Sequence, residues 1–270
     1  MRYRRNAVIL TLILLCGTIA LAQPEKLKGT WISSQLEMVE ILHTGRDSVN
    51  YISNRELEED FFYLFIYGDT LSFQSIYTRS STNHEVEYKD RYDLKIISSN
   101  DSVLVLEPVS DFSKAFFWDK PTLTLKKKDY LVDRAISFEK LVYHSFYGGN
   151  DPHVSIQIDS ARNLYVNFRN PYSDKMLRTG AYSTVLDEDT YHKLISELQN
   201  AQLRALRFSN VKGADSPITT LIIYYNGGRK YLRSIAPHRV ARDLLNFISF
   251  QLARYPGLKP ASETKELEWP

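Results

Sequence analysis

Between Leu27 and Lys128 the chain interrupts its apolar runs with turn residues about every ten positions, and that rhythm limits the fold more than any other feature. Phe61–Tyr67 and Thr70–Thr78, rich in aromatic and β-branched residues, meet at Gly68-Asp69, a pair suited to a tight hairpin turn. Tyr92–Ser98 and Val103–Glu107 flank Ser99-Asn100-Asp101, a second turn cluster. Thr122–Lys126 alternates Leu123 and Leu125 with Thr and Lys, the period of a half-buried strand. No helical stripe interrupts the series. Consecutive short strands must hide their edges, so the expected product is a meander closing into a small barrel or sandwich.

From about Asp129 to Pro256 the pattern changes. His153–Asp159 puts Val154, Ile156 and Ile158 on one face, and Leu164–Arg169 does so with Leu164, Val166 and Phe168. Asp187 reads as a helix N-cap, followed at helical spacing by Tyr191, Leu194, Ile195 and Leu198. Ile218–Tyr225 and Lys230–Ile235 form a hairpin across Asn226-Gly227-Gly228, since Asn and Gly accept positive φ. Pro237 suits the first turn of a last helix that aligns Val240, Leu244, Ile248 and Leu252. Strands, helix, two strands, helix: the order implies an α+β domain, an antiparallel sheet with two helices on one face. The expected organisation is a signal segment at 1–22, an all-β domain at 23–128, the α+β domain at 129–256 and a loose polar tail at 257–270.

Arg2, Arg4 and Arg5, the apolar run Ala7–Leu21 and the closing Ala20-Leu21-Ala22 read as a cleavable export signal, with cleavage after Ala22. The apolar run is short of the ~20 residues that cross a bilayer. Cys16, the chain's one cysteine, sits inside that run. The exported chain therefore has no disulfide to hold it, and must be stabilised by its cores. A hydrophobic content of 43% supplies them. Loss of the three signal arginines takes the formal net charge from +2 to −1, which gives no footprint for nucleic acid or an anionic membrane. The expected location is the periplasm or the exterior, with no membrane span after cleavage.

The first half opens with Leu27-Lys28-Gly29-Thr30-Trp31. With the meander behind this Gly-x-Trp start, the region resembles the short lipocalin-like domains of exported bacterial proteins. The resemblance implies a barrel closed at one end by Gly29 and Trp31, with lysines at 126–128 where an arginine usually packs on the tryptophan. The second half resembles an uncharacterised domain family of exported bacterial proteins. That likeness rests on Ile136–Phe168, on Leu186–Leu198, and on Ala214-Asp215-Ser216-Pro217 leading into Thr219–Tyr225. Many members carry a Cys-x-Gly-x-Cys-Pro-like motif where this chain reads Ser145-Phe146-Tyr147-Gly148-Gly149-Asn150-Asp151-Pro152. The resemblance implies a fold and no activity, and no thiol chemistry carries over.

Candidate chemistry is sparse. His144, Asp151 and His153 have residue types that suit zinc, but their spacing matches no structural zinc pattern, so no metal and no cofactor are expected. Ser137-Phe138-Glu139-Lys140 has the Ser-x-x-Lys form of acylating serine enzymes, yet reads as strand where that chemistry needs a helix start. Glu56, Glu58, Glu59 and Asp60 read as a solvated loop, and Asp187, Glu188 and Asp189 as complements to a helix dipole. The 18 tyrosines and 13 phenylalanines read as cross-strand packing before sugar stacking.

One surface stands out. If the helices cover Ile156, Ile158, Val166 and Phe168, the opposite sheet face presents Gln157, Tyr165, Asn167 and Arg169 beside Ser155. Which of Thr220, Ile222 and Tyr224 or Leu221, Ile223 and Tyr225 share that face is left open. The expected role is non-enzymatic recognition of a protein, peptide or glycan in the cell envelope. The alternative is a carrier of a small apolar ligand in a barrel cavity lined by Phe62, Leu64 and Phe73. A hydrolase stands third.

Overall fold

The protein, analysed as a computed structural model, is described over residues 24–54, 58–146, 152–169, 179–209 and 217–268. The expected signal segment, Glu56, Asp151 and residues 214–216 lie outside the described residues. No helix among those described is long and apolar enough to cross a membrane.

A short helix α1 (Pro24–Leu27) leads into eight strands: β1 (Gly29–Ser33), β2 (Met38–Ile41), β3 (Gly45–Ser53), β4 (Glu58–Tyr67), β5 (Thr70–Thr78), β6 (Glu87–Ser99), β7 (Val103–Pro108) and β8 (Leu123–Lys127). They run in chain order round a closed antiparallel barrel, so no strand is left with an unpaired edge. Register sets Leu64 opposite Phe73, Leu71 opposite Leu94 and Leu104 opposite Leu125, and all six are fully buried. The alternate residues look the other way and bond to one another: Ser72 Oγ donates to Asp93 at 2.5 Å, and Gln74 Nε2 donates to Ser72 Oγ at 3.0 Å.

The expectation of an uninterrupted meander needs one correction. Helix α2 (Asp111–Phe116) lies between β7 and β8. Ser110 and Ser113 form its capping box, each side chain accepting from the other's backbone N–H. Six residues are too few to display a helical stripe, so periodicity could not reveal it.

The chain divides into two compact units. Among the described residues the second unit comprises those from Lys128 onward together with Ile32–Met38 and Ile52–Glu59. It holds a seven-stranded sheet of β9 (Phe138–Phe146), β10 (Pro152–Asp159), β11 (Asn163–Phe168), β12 (Gly180–Val185), β13 (Ile218–Tyr225), β14 (Gly228–Ser234) and β15 (Lys259–Pro260). The spatial order is β14-β13-β9-β10-β11-β12-β15, and every neighbouring pair is antiparallel.

Helix α3 (Glu188–Asn200) starts at Asp187, whose carboxylate accepts from Thr190 N–H at 2.7 Å and from the Tyr255 hydroxyl at 2.6 Å. The last helical stretch begins at Arg239 as a 3-10 turn, continues as α4 (Arg242–Asn246) and widens to a π-helix over Phe247–Leu252. Its cap is His238, whose Nδ1 accepts from Val240 N–H at 3.1 Å, so Pro237 precedes the cap and is not in the first turn. Ile156, Ile158, Val166 and Phe168 share one core with Leu194, Leu198, Leu244, Ile248 and Leu252. Leu221 and Ile223 belong to that core as well, which leaves Thr220, Ile222 and Tyr224 for the opposite face.

Part of the segment after Pro256, expected to be loose, pairs with the sheet edge. Lys259 and Pro260 pair with Ser183 and Tyr182, and Ala261 N–H donates to Ala181 O at 2.9 Å. An edge strand such as β12 offers unpaired backbone groups, and the tail takes them.

Candidate functional site

Cross-strand register builds the second sheet's open face from three rows. Arg229, Tyr224 and Lys140 lie side by side on β14, β13 and β9. The next row runs Tyr231, Ile222, Val142, Gln157, Tyr165 and Ser183. The third runs Arg233, Thr220, His144, Ser155 and Asn167. His144, Ser155 and Thr220 are buried there, and polar side chains this deep need partners, since an unmet buried polar group costs about 1–3 kcal/mol.

Part of the cover is the chain's own C-terminal segment. Beyond β15 it turns from the sheet edge and crosses the open face. Tyr165 Oη accepts from Lys265 N–H at 2.8 Å, and Tyr165 is only 3% exposed. Three residues on, Glu268 reaches β9, β13 and β14. Three residues of extended chain span about 10 Å, close to the two strand spacings that separate β11 from β9.

Glu268 sits in a clamp made by three strands. Tyr224 Oη donates to Glu268 Oε1 at 2.6 Å and Arg229 Nε to the same oxygen at 3.1 Å, while Lys140 Nζ lies 3.0 Å from Oε2. Lys140 also stands 4.5 Å from the Tyr224 ring centroid. Burial pushes the Glu268 carboxyl up, but the Tyr224 hydrogen bond, the Lys140 ammonium and Arg229 together hold it below the usual carboxylate range. The side chain is about one-quarter exposed, so the pair is only partly shielded from solvent.

His144 reads the same residue's backbone. Its Nε2 lies 2.8 Å from the Glu268 carbonyl oxygen and its Nδ1 2.9 Å from Ser155 Oγ. A carbonyl can only accept, so Nε2 carries the proton and Nδ1 accepts from the serine hydroxyl. Burial lowers the His144 pKa, opposed in part by the Glu268 carbonyl, and favours this neutral form. Beside it, Thr220 Oγ1 is fully buried with no hydrogen-bond partner among the described residues.

The structure therefore sets the expected residues on one surface in unequal positions. Tyr165 is covered by the tail, Gln157 and Asn167 are half-buried, and Arg169 is exposed just past the end of β11. Arg229 and Glu268 stand outside the sequence reading, which weighs Lys140 only within Ser-x-x-Lys and leaves the face of Tyr224 open. The alternation of Ile222 and Tyr224 carried a partial signal, because the parity of β13 fixes Tyr224 beside Lys140. Glu268 carried none, lying in a segment without periodicity.

The other candidates separate. His144 has both ring nitrogens engaged, His153 Nδ1 lies 3.3 Å from Arg169 O, and Asp151 is outside the described residues. Among the described residues no three His, Cys, Asp or Glu side chains gather as a metal site. Ser137 precedes β9 and stands on no helix start, and Lys140 is committed to Glu268.

In the barrel, Phe62 is 1% exposed and Leu64 and Phe73 are fully buried. A ligand-sized hollow against those side chains would leave them surface to show. Instead Phe62 meets Phe73 edge-on at 6.0 Å and Tyr92 at 5.1 Å between ring centroids. Trp31 is fully buried, donates Nε1–H to Leu27 O at 2.7 Å, and has Lys127 Nζ 5.5 Å from its ring centroid. Gly29 has φ +123°, and a Cβ there would stand 2.9 Å from Lys127 Cε. Glycine at 29 thus lets the lysine reach the indole.

Compared with family models, curated proteins and solved structures, the chain finds no match in any of the three.

Proposed function

We propose that this chain is an exported recognition module that binds a protein or peptide partner, in the periplasm or outside the cell, through the open face of its second sheet. The observation that supports the reading is that this face is built to hold extended polypeptide. His144 and Tyr165 address backbone groups three residues apart, and a cationic clamp addresses the side chain between β13, β14 and β9. Directed donors to a carboxylate and to amide backbone suit a polypeptide better than a neutral glycan. In this reading the barrel is lipocalin-like with a filled interior, serving as scaffold, and the second unit is an α+β domain whose helices leave one sheet face for the partner.

Site-specific photo-crosslinking in the exporting cell tests the assignment. A benzophenone side chain at Gln157 or Asn167 is expected to give one discrete adduct, and the same group at exposed His192 on α3 none. Equal labelling from all three positions, or none from the sheet face, contradicts it.

A further inference from the structure

We propose that the open sheet face is a binding site for an extended acidic peptide, and that the chain's own segment 262–268 occupies it in cis as a resident competitor. The proposal rests on the recognition reading above and adds the chemistry of the ligand. Three donors on three different strands converge on one carboxylate: Tyr224 at 2.6 Å, Lys140 at 3.0 Å and Arg229 at 3.1 Å. Such a convergence selects an anion, because a neutral amide would leave the lysine and arginine without a counter-charge. The acidic residue is also read through its main chain, since His144 Nε2–H donates to the carbonyl of that same residue. Three positions upstream, Tyr165 Oη accepts the ligand's amide. The site thus asks for an acidic side chain in a fixed register with an extended backbone.

Two features mark the tail as a replaceable occupant. Its anchorage to β12 is two residues long, and Ser262–Glu266 are exposed between that anchor and the clamp. Tethering alone holds a weak ligand in place, because a short linker supplies an effective concentration on the order of millimolar. The fit is also incomplete: among the described residues Thr220 Oγ1, fully buried beside His144, has no hydrogen-bond partner.

The experiment uses the full-length chain, a chain ending at Ala261 that keeps β15, and a fluorescent peptide of the tail sequence Ser262–Pro270. Circular dichroism and a cooperative melt verify that both chains fold. By fluorescence anisotropy the shortened chain is expected to bind the peptide saturably, and the full-length chain about tenfold or more weakly, reflecting the tethered competitor. A Glu268→Gln peptide is expected to bind the shortened chain about tenfold or more weakly, as loss of a charge-assisted contact requires. In the full-length chain the same substitution is expected to strengthen binding of the unaltered peptide, and this arm carries the test if the shortened chain does not fold. Equal binding of acidic and neutral peptides overturns the acidic specificity while leaving peptide recognition standing. Failure of a folded, shortened chain to bind either peptide overturns both. Equal binding by the full-length and shortened chains overturns cis occupancy. So does a concentration-dependent dimer of the full-length chain that truncation abolishes, since the occupant would then be a second copy's tail.

Discussion

The side chain of Asn50, fully buried in the barrel, spends its hydrogen-bonding groups on main chain. Oδ1 accepts from Leu42 and His43 N–H at 2.8 and 3.1 Å, and Nδ2 donates to the His43 and Phe62 carbonyls at 2.8 and 3.1 Å. Asn50→Asp keeps the shape and the two accepted bonds but sets a carboxylate oxygen against two carbonyls. The expected loss is about 3 kcal/mol or more, read from urea denaturation, since buried charge without a counter-charge costs more than a missing neutral bond. Nothing in the sequence signals this role, because the partners lie between seven and twelve positions away.

His144 and Glu268 invite a different measurement. Both have folded-state pKa values below the ordinary ones, 6.5 and 4.5. A depressed pKa contributes stability that is complete above the ordinary value and is lost as pH falls through the folded one. The stability these two groups contribute is therefore expected to be complete above about pH 6.5. It should fall as pH drops and His144, buried in its neutral form, gains its second proton, whereas docking of the tail itself weakens only below about pH 4.5, as Glu268 loses its charge opposite Lys140 and Arg229. Imidazole nitrogen shifts should report a neutral Nε2–H tautomer at pH 7 that persists below the usual midpoint. A midpoint at or above 6.5 contradicts the assignment.

At the scale of elements, the hairpins were the most legible features because their turns are chemically marked. Asn226 and Gly227 have φ +53° and +71°, the backbone expected from Asn-Gly, and β13 pairs with β14 from Tyr225–Gly228 outward. The turn is also fastened to β9: Ser137 N–H donates to Asn226 Oδ1 at 2.6 Å and Gly227 N–H to Glu139 at 2.6 Å. A Cβ on Gly227 would touch nothing, so Gly227→Ala isolates backbone strain. It is expected to cost about 1–2 kcal/mol in thermal denaturation without altering the fold. Helix α3 was legible from the Asp187 cap and from its stripe, of which Leu194 and Leu198 are fully buried and Tyr191 and Ile195 partly so. Helix α2 and strands β12 and β15 were not. The first is too short for periodicity, β12 is at most half-buried along its length, and β15 is two residues joined to a polar segment.

For the whole molecule, two apolar cores form without a disulfide, one inside the barrel and one between the second sheet and its helices. Their existence could be read from strand rhythm and helical stripes, because burial leaves a periodic trace in sequence. The candidate site could be read only in part. Gln157, Tyr165 and Asn167 follow from the parity of two strands, whereas the clamp needs Lys140, Tyr224 and Arg229 brought together by register with Glu268. A polar tail crossing a polar face leaves no hydrophobic pattern, so composition alone made it look loose. The site is occupied in cis only if that tail lies where Tyr165, His144 and the clamp receive it. Amide hydrogen exchange of the full-length protein at pH 7 tests this most directly. The Lys265 amide is expected to exchange about tenfold or more slowly than in a free peptide of the same sequence, as a stable hydrogen bond requires. Free-peptide rates throughout residues 262–268 would contradict it.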